Sequence, residues 1–367
     1  MATVLHVRGR IMVGVDDIRS DLWVVDGRVT FERPTGAGHE VQTVEGWVLP
    51  GLVDAHCHVG MDPEHGIDDT QAEPQAITDR DAGALLLRDA GSPVDTSWMH
   101  ERDDMPRLIR AGRHIARTRR YIKGLAHEIE PEDLVAYVRH EARRGDGWVK
   151  LVGDWIDRET GDLGVCWPAE ALRPAIDAAH EEGARVTAHC FGEQSLRDLA
   201  DAGIDCIEHA TGLQEDSIQT FADRGIGIVP TLVNIANFPS FAEAGRPKFP
   251  TYADHMERLF QTRYAVVAAA HEAGVPIFCG TDAGGQLPHG LVADEVIELG
   301  TAGLSPTEAI GAATWSARAW LGRPGLEEGE SADLVVYQSD PREDLTELKR
   351  PRQVVLRGRP VGAAAAP

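Results

Sequence analysis

The chain has 367 residues, enough for about two domains or one large barrel with attachments, and its 43% hydrophobic and 26% charged residues, 38 Gly and 21 Pro are ordinary globular usage. Lys and Arg number 36 against 59 Asp and Glu, a formal charge of -23 that repels phosphate backbones and anionic lipid surfaces. Neither nucleic acid nor membrane is therefore expected as a partner. The opening MATVLHVRGRIMVGV has no secretory-signal pattern and no apolar run approaches ~18 residues, so a cytoplasmic location is expected. Five cysteines, an odd number without a CxxC pair, do not suggest a disulfide framework.

Residues 1–49 carry short β-rich runs, VLHVRGRIMVG and DLWVVDGRVTFERP, punctuated by Gly and Asp. From Val48 the texture changes to short apolar strands alternating with amphipathic helices. Eight strands are expected: LPGLVDAHCHVG, ALLLRDAG, GRHIART, WVKLVGD, RVTAHCFG, DCIEHATG, IGIVPTL and PIFCGTDAG. Between them PAEALRPAIDAAHEEG, EQSLRDLADAG, EDSIQTFADRG and HMERLFQTRYAVVAAAHEAG have helical spacing, each closed by Gly. Eight such units predict an α/β fold, a (β/α)8 TIM-like barrel over 50–326. After helices in DEVIELG and SPTEAIGAATWSARAWLG, the segments ADLVVYQ and RQVVLRGRPV return to β texture. Residues 1–49 and 327–367 are thus expected to share one sheet in a composite β domain, with the terminal VGAAAAP frayed.

In parallel barrels chemistry sits at the C-terminal ends of strands. There this sequence places His56 and His58 (strand one), Lys150 (four), His189 (five), His209 (six) and Asp282 (eight). Period two puts His56 and His58 on one side of their strand, able to grip one cation together. Chance alone supplies about 0.6 HxH pairs from 15 histidines, so the pair informs only through its strand-end context. Strand closure would bring all these groups to the barrel axis and predicts a metal site. Cys57, Cys190, Cys206 and Cys279 each lie an odd number of residues from a candidate ligand and are expected to point away, into the packing.

VLPGLVDAHCHVG, the lysine of WVKLVGD, the histidines of TAHCFG and IEHATG, GTDAGG, and the closing GLEEGESADLVVYQSDPREDLTELKRPRQVVLRGRPV together resemble the amidohydrolase superfamily. The likeness spans nearly the whole chain and is nearest to the prolidase-like and imidazolonepropionase-like metal-dependent hydrolases. It implies a distorted (β/α)8 barrel with a composite β-sandwich. It also implies two divalent metal ions, zinc being expected, with His56, His58 and Asp282 on one and His189 and His209 on the other. Lys150, carboxylated, would bridge them, since an ammonium has no lone pair whereas a carbamate offers anionic oxygens. Water acidified between the ions would attack a carbonyl, and Asp282 would serve as base and then as acid.

A small-molecule substrate is expected, and a homo-oligomer is left open. Arg117, Arg119, Arg120 and Tyr121 follow strand three where relatives often carry a Gly- and His-containing loop. Arg119 and Tyr121 are taken as substrate candidates, Arg119 for a carboxylate, although a solvated basic loop explains the arginines equally well. Asn234 after strand seven and Trp155 and Trp167 after strand four are candidate pocket walls, packing being the commoner fate of Trp, and the GDWIDRETGDLGVCWP insertion is a candidate lid. His127 and His289 are candidates to orient ligands. The expected reaction is hydrolysis of a carbon–nitrogen bond in a dipeptide, an N-acyl amino acid or a cyclic amide. Lactone or ester hydrolysis stays open, as does a mononuclear heterocycle deaminase, although Glu193 lies one residue beyond an HxGE motif. A non-enzymatic scaffold is disfavoured because all six ligand positions are filled.

Overall fold

The computed structural model describes residues 3–35 and 40–362, so part of the VGAAAAP tail, residues 363–367, lies outside the described residues. Both ends of the chain enter one seven-stranded sheet. Its order is Arg359–Val361, Gln353–Leu356, Leu334–Tyr337, Glu40–Pro50, Thr3–Met12, Ile18–Val25 and Arg28–Thr30. Thr3–Met12 runs parallel to Glu40–Pro50, and Leu334–Tyr337 pairs antiparallel with the latter, Leu334 opposite Pro50 and Tyr337 opposite Trp47. Leu5, Val7, Ile11, Leu22, Val24, Val48, Leu334 and Val336 bury one face of this sheet. The expected sharing by the two ends is present, in one continuous sheet.

Two parallel sheets form the α/β body. Leu52–Cys57, Ala84–Asp89 and Arg107–Arg110 make three strands. Gly227–Val229, Cys206–His209, Arg185–Cys190, Trp148–Val152, Ile115–Arg117 and His127–Ile129 make six. The stretch 107–117 pairs first with Ala84–Asp89 and then with Trp148–Val152. On the other side Ile277 bridges Ile228, Ala283 bridges Cys57, and Ala55 N–H donates to the Cys279 carbonyl at 2.8 Å. Seven of the eight expected strands thus appear, and PIFCGTDAG contributes isolated bridges without a named strand. Sequence reading missed Arg107–Arg110, His127–Ile129 and the helices Asp69–Asp81 and Leu134–Arg144. Asp69–Asp81 has weak amphipathic character and an internal Pro74, so periodicity gave little sign of it.

The expected helices are present as Ala169–Glu181, Gln194–Ala202, Glu215–Arg224, Pro250–Glu272 and Val292–Thr301, followed by Pro306–Ala312 and Trp315–Trp320. Gly203 and Gly225 end two of them at φ 94° and 67°, and Ser305 with Glu308 forms a capping box at a third. The five cysteines are free and buried, although the spacing argument covered only Cys57, Cys190, Cys206 and Cys279 and its premise of regular pleating fails at His209 and Asp282.

The insertion after the Lys150 strand folds as an antiparallel hairpin, Asp154–Asp157 with Asp162–Val165. Leu163 packs with Phe191, Phe238, Tyr252 and Met256, and His255 pins the turn to the body. Its Nδ1 lies 2.9 Å from Asp162 and its Nε2 2.9 Å from Glu193. The hydrogen bond to Glu193 leads in raising the His255 pKa, against burial, with Asp162 adding to it. A histidine with a raised folded pKa contributes stability that is full below its unfolded value of ~6.5 and is lost as pH rises through the folded value. The thermal midpoint of His255→Gln is accordingly expected to fall below wild type at pH 6, with the gap narrowing at pH 9. Equal gaps at both pH values would rule out a charged latch.

Candidate metal centre

His56, His58, Lys150, His189, His209 and Asp282 line one cavity of about 440 Å³. His56 and His58 end the strand Leu52–Cys57, and their Nε2 atoms lie 3.2 Å apart. Asp282 Oδ1 is 3.1 Å from His56 Nε2 and 2.9 Å from His58 Nε2. Three potential ligand atoms thus form a triangle whose edges approach the ~3.3 Å expected around a tetrahedral ion with bonds of ~2.0–2.1 Å. Across the cavity His209 Nε2 lies 3.0 Å from His189 Nδ1.

Outer partners set which nitrogens face inward. His58 Nδ1 donates to the Gly91 carbonyl at 2.7 Å, leaving a lone pair on Nε2. His209 Nδ1 meets Thr231 Oγ1 at 2.7 Å. Glu208 Oε2 sits 2.7 Å from His56 Nδ1, while its Oε1 takes hydrogen bonds from Arg88 Nη2 at 2.7 Å and Thr187 Oγ1 at 2.5 Å. Arg88 is itself buried, with the Trp148 and Trp320 rings 4.6 and 5.1 Å from its guanidinium carbon.

The loop carrying Asp282 is zipped onto the His56 strand. Thr281 and Asp282 N–H groups donate to the His56 carbonyl at 3.0 and 2.7 Å. Asp54 accepts from His56 N, Thr281 N and Thr281 Oγ1, at 3.1, 3.1 and 2.6 Å. This close approach explains two glycines of GTDAGG. A Cβ at Gly280 would stand 2.7 Å from His56 N, and one at Gly284, where φ is 99°, would stand 2.0 Å from the His58 carbonyl oxygen.

Burial acts on every titratable group here. It drives His58 and His209 down and His189 to about 3, with Lys150 adding to the effect on His189. In His56 burial and Lys150 are outweighed by Glu208 and Asp282, and the pKa rises. For Asp282 burial works upward, but His56 and His58 pull the carboxyl well below its usual range. Burial lowers Lys150, enlarging its fraction of neutral amine, the form that reacts with carbon dioxide. The inward imidazole lone pairs and the unpartnered buried His189 Nε2 suit divalent cations.

The remaining candidates divide. Tyr121, Asn234 and Trp155 line the cavity, and Asn234 Nδ2 donates to Asp282 Oδ2 at 2.6 Å. Arg119 does not: it is exposed, in left-handed backbone at φ 63°, its N–H bound to Glu128, so the geometry withholds the expected carboxylate contact. Arg120 is held by Asp157 at 2.6 Å. Trp167 is core, its Nε1 donating to the Val152 carbonyl. His127 pairs with Glu141, away from the cavity. His289 pairs with Asp79 behind the Asp282 loop, its Nε2 facing Gly284.

Sequence reading missed Glu208, Arg88, Asp54, Thr231 and His114. The wholly buried His114 has its ring 5.1 Å from both His58 and Tyr121, with both nitrogens unpartnered. It stands within GRHIART, before the arginines on which the loop reading dwelt. A charged residue inside an apolar strand such as ALLLRDAG was the available sign that Arg88 has a buried partner.

The Amidohydrolase family model matches residues 163–361, more than half of the chain. A Mycobacterium tuberculosis protein described as uncharacterized is 53% identical over 98% of this chain and 96% of its own. Ochratoxinase of Aspergillus niger is 24% identical over 88% of this chain and 76% of its own. The crystal structure of a putative prolidase from Bifidobacterium longum superposes with a TM-score of 0.82 at 25% identity, covering 99% of this chain and 95% of that one. Family model and three-dimensional likeness agree with the resemblance carried by the strand-end motifs: the chain belongs to the amidohydrolase family and is prolidase-like in build.

Proposed function

We propose that this hydrolase cleaves a carbon–nitrogen bond in a dipeptide or N-acyl amino acid with a bulky apolar part, within a (β/α)8 barrel whose strand ends hold two divalent ions. The observation that carries the reading is the meeting of His56 Nε2, His58 Nε2 and Asp282 Oδ1 within 3.2 Å, in a cavity shared with His189, His209 and Lys150. Members of this family are typically metal-dependent. His56, His58 and Asp282 would hold one ion and His189 and His209 the other, and nitrogen and carboxylate donors suit zinc. Lys150 would join both as a carbamate, formed when its amine bonds to carbon dioxide and releases a proton.

Bound divalent ions supply Lewis acidity toward the scissile carbonyl and toward water. Asp282, a carboxylate in this setting, is placed to take a proton from water and return it to the departing nitrogen, while Asn234 holds its outer oxygen. Tyr121 lines the wall with its pKa pushed up by burial, so it stays protonated as a hydrogen-bond donor. Ile122, Trp155, Phe191, Phe241, Phe249 and Tyr252 supply an apolar wall. Lys248 lies at its exposed edge, 5.1 Å from the Phe249 ring, and takes the carboxylate-binding role first read into Arg119. Glu193 is not placed for the acid/base role that deamination would give it, because it is bound to His255 and does not line the cavity.

Three measurements test this reading. Asp282→Asn is expected to fold and to hydrolyse N-acyl amino acids at least ~100-fold more slowly; near-normal turnover refutes its role as base and acid. Native intact mass of freshly purified protein is expected to show one added carbon dioxide that is absent from Lys150→Ala, and an unmodified wild type removes the bridging carbamate. Lys248→Met is expected to lower kcat/KM about 5-fold for substrates with a free carboxylate and to leave their carboxamide counterparts unchanged. Equal effects on both would deny a carboxylate contact.

A further inference from the structure

A second cavity, of about 490 Å³, opens where the seven-stranded sheet meets the opposite end of the α/β body. Gly51, which precedes the His56 strand, and Arg107, which begins the strand Arg107–Arg110, mark it as the end away from the metal ligands. On a chain of charge -23, six arginines line it: Arg28, Arg107, Arg318, Arg323, Arg357 and Arg359. Four carboxylates share the wall, those of Asp26, Asp103, Glu330 and Asp333.

The pairing is incomplete. Asp333 is spent on Arg107 Nε at 3.2 Å and on the Arg357 N–H at 2.7 Å. Arg318, 4% exposed, is held only by carbonyls, those of Gly51 at 2.8 and 3.1 Å and of Pro324 at 3.1 Å. Arg357 Nη1 likewise donates to the carbonyls of Asp103 and Met105, at 2.7 and 2.8 Å, with the Asp103 carboxylate at 3.8 Å, and Arg28 donates to that of Gly329. Carbonyls fix the guanidinium planes, and across the cavity six cations face four carboxylates. Burial pulls Arg318 down to about 10 and lowers Arg357, in each case with Arg107 adding to the effect and Asp333 only partly offsetting it. Arg323 and Arg359 are exposed at the rim and carry no ion pair among the described residues.

We propose that this cavity is a binding site for a small molecule bearing two phosphoryl groups, remote from the catalytic centre. Guanidinium forks match phosphoryl oxygens two at a time, and the buried arginines are already held in place, so little ordering remains on binding. Arg28 and Arg359 belong to the sheet, whereas Arg107 and Arg318 belong to the α/β body, so an occupant clamps one to the other. Binding therefore reads out as stability, independently of hydrolysis.

The test uses the full chain with fructose 1,6-bisphosphate as the probe, and with glucose and sodium chloride at matched ionic strength as controls. Millimolar probe is expected to raise the thermal midpoint of both wild type and Asp282→Asn by about 2 °C or more. In the double variant Arg323→Gln, Arg359→Gln, calorimetric affinity is expected to fall at least ~10-fold. Unchanged affinity in that double variant overturns the proposal, as does a wild-type midpoint that rises no more with the bisphosphate than with salt. Loss of the effect in Asp282→Asn but not in the arginine variant assigns the phosphates to the metal centre and also overturns it.

Discussion

The Asp54 carboxylate is the constraint on which the site depends. By accepting from His56 N, Thr281 N and Thr281 Oγ1, it fixes the strand that carries two imidazoles against the loop that carries the carboxylate, segments more than 220 residues apart in sequence. Burial raises its pKa to about 7, with Asp79 adding to the effect, so these donors are what offset an otherwise costly anion. The register so imposed leaves His56, His58 and Asp282 as near neighbours. Three groups rich in lone pairs at that separation are poorly placed in isolation, and a cation bound between them would resolve the conflict.

The same economy governs the strand ends. His209, Thr231 and Asp282 adopt left-handed backbone at φ 67°, 48° and 60°, in a chain where few non-glycine residues do so. Such conformations cost of order 1–3 kcal/mol each and persist only where surrounding bonds over-determine them. Here those bonds are the Thr231 hydroxyl on His209 and the His56 carbonyl that accepts from the Asp282 N–H. From these kinks the His209 and Asp282 side chains line the cavity, while Thr231 meets His209 from behind.

How much of this was legible in the sequence follows from which features local pattern can carry. That six candidate ligands would share one cavity was legible because parallel strands present their C-terminal ends together, and a His, Lys or Asp there is conspicuous. The helices ending at Gly203 and Gly225 were legible from spacing and the closing glycine. Asp69–Asp81, with weak amphipathic character and an internal proline, was not. Neither was the partner of His56: Glu208 precedes a candidate ligand in sequence, but its meaning comes from Arg88, 120 residues away. Arg119 and Tyr121 are two residues apart and meet opposite fates, one in solvent and one beside His114, because the chain turns at φ 63° on Arg119.

The Arg88–Glu208 pair shows why ligand geometry and stability cannot be adjusted separately here. Both charges are fully buried, and removing one partner of such a pair typically costs about 3–5 kcal/mol because the other is left unsolvated. Glu208 also holds the outer nitrogen of His56 and fixes which nitrogen faces the cavity. Arg88 is steadied in turn by the Trp148 and Trp320 rings and by the Ala55 carbonyl, which accepts from its Nε at 2.6 Å. A change at Trp320, in the last helix of the α/β body, therefore acts on a candidate metal ligand, His56, through two buried charges. Orientation of that imidazole is a property of the whole packed interior and not of the cavity lining alone.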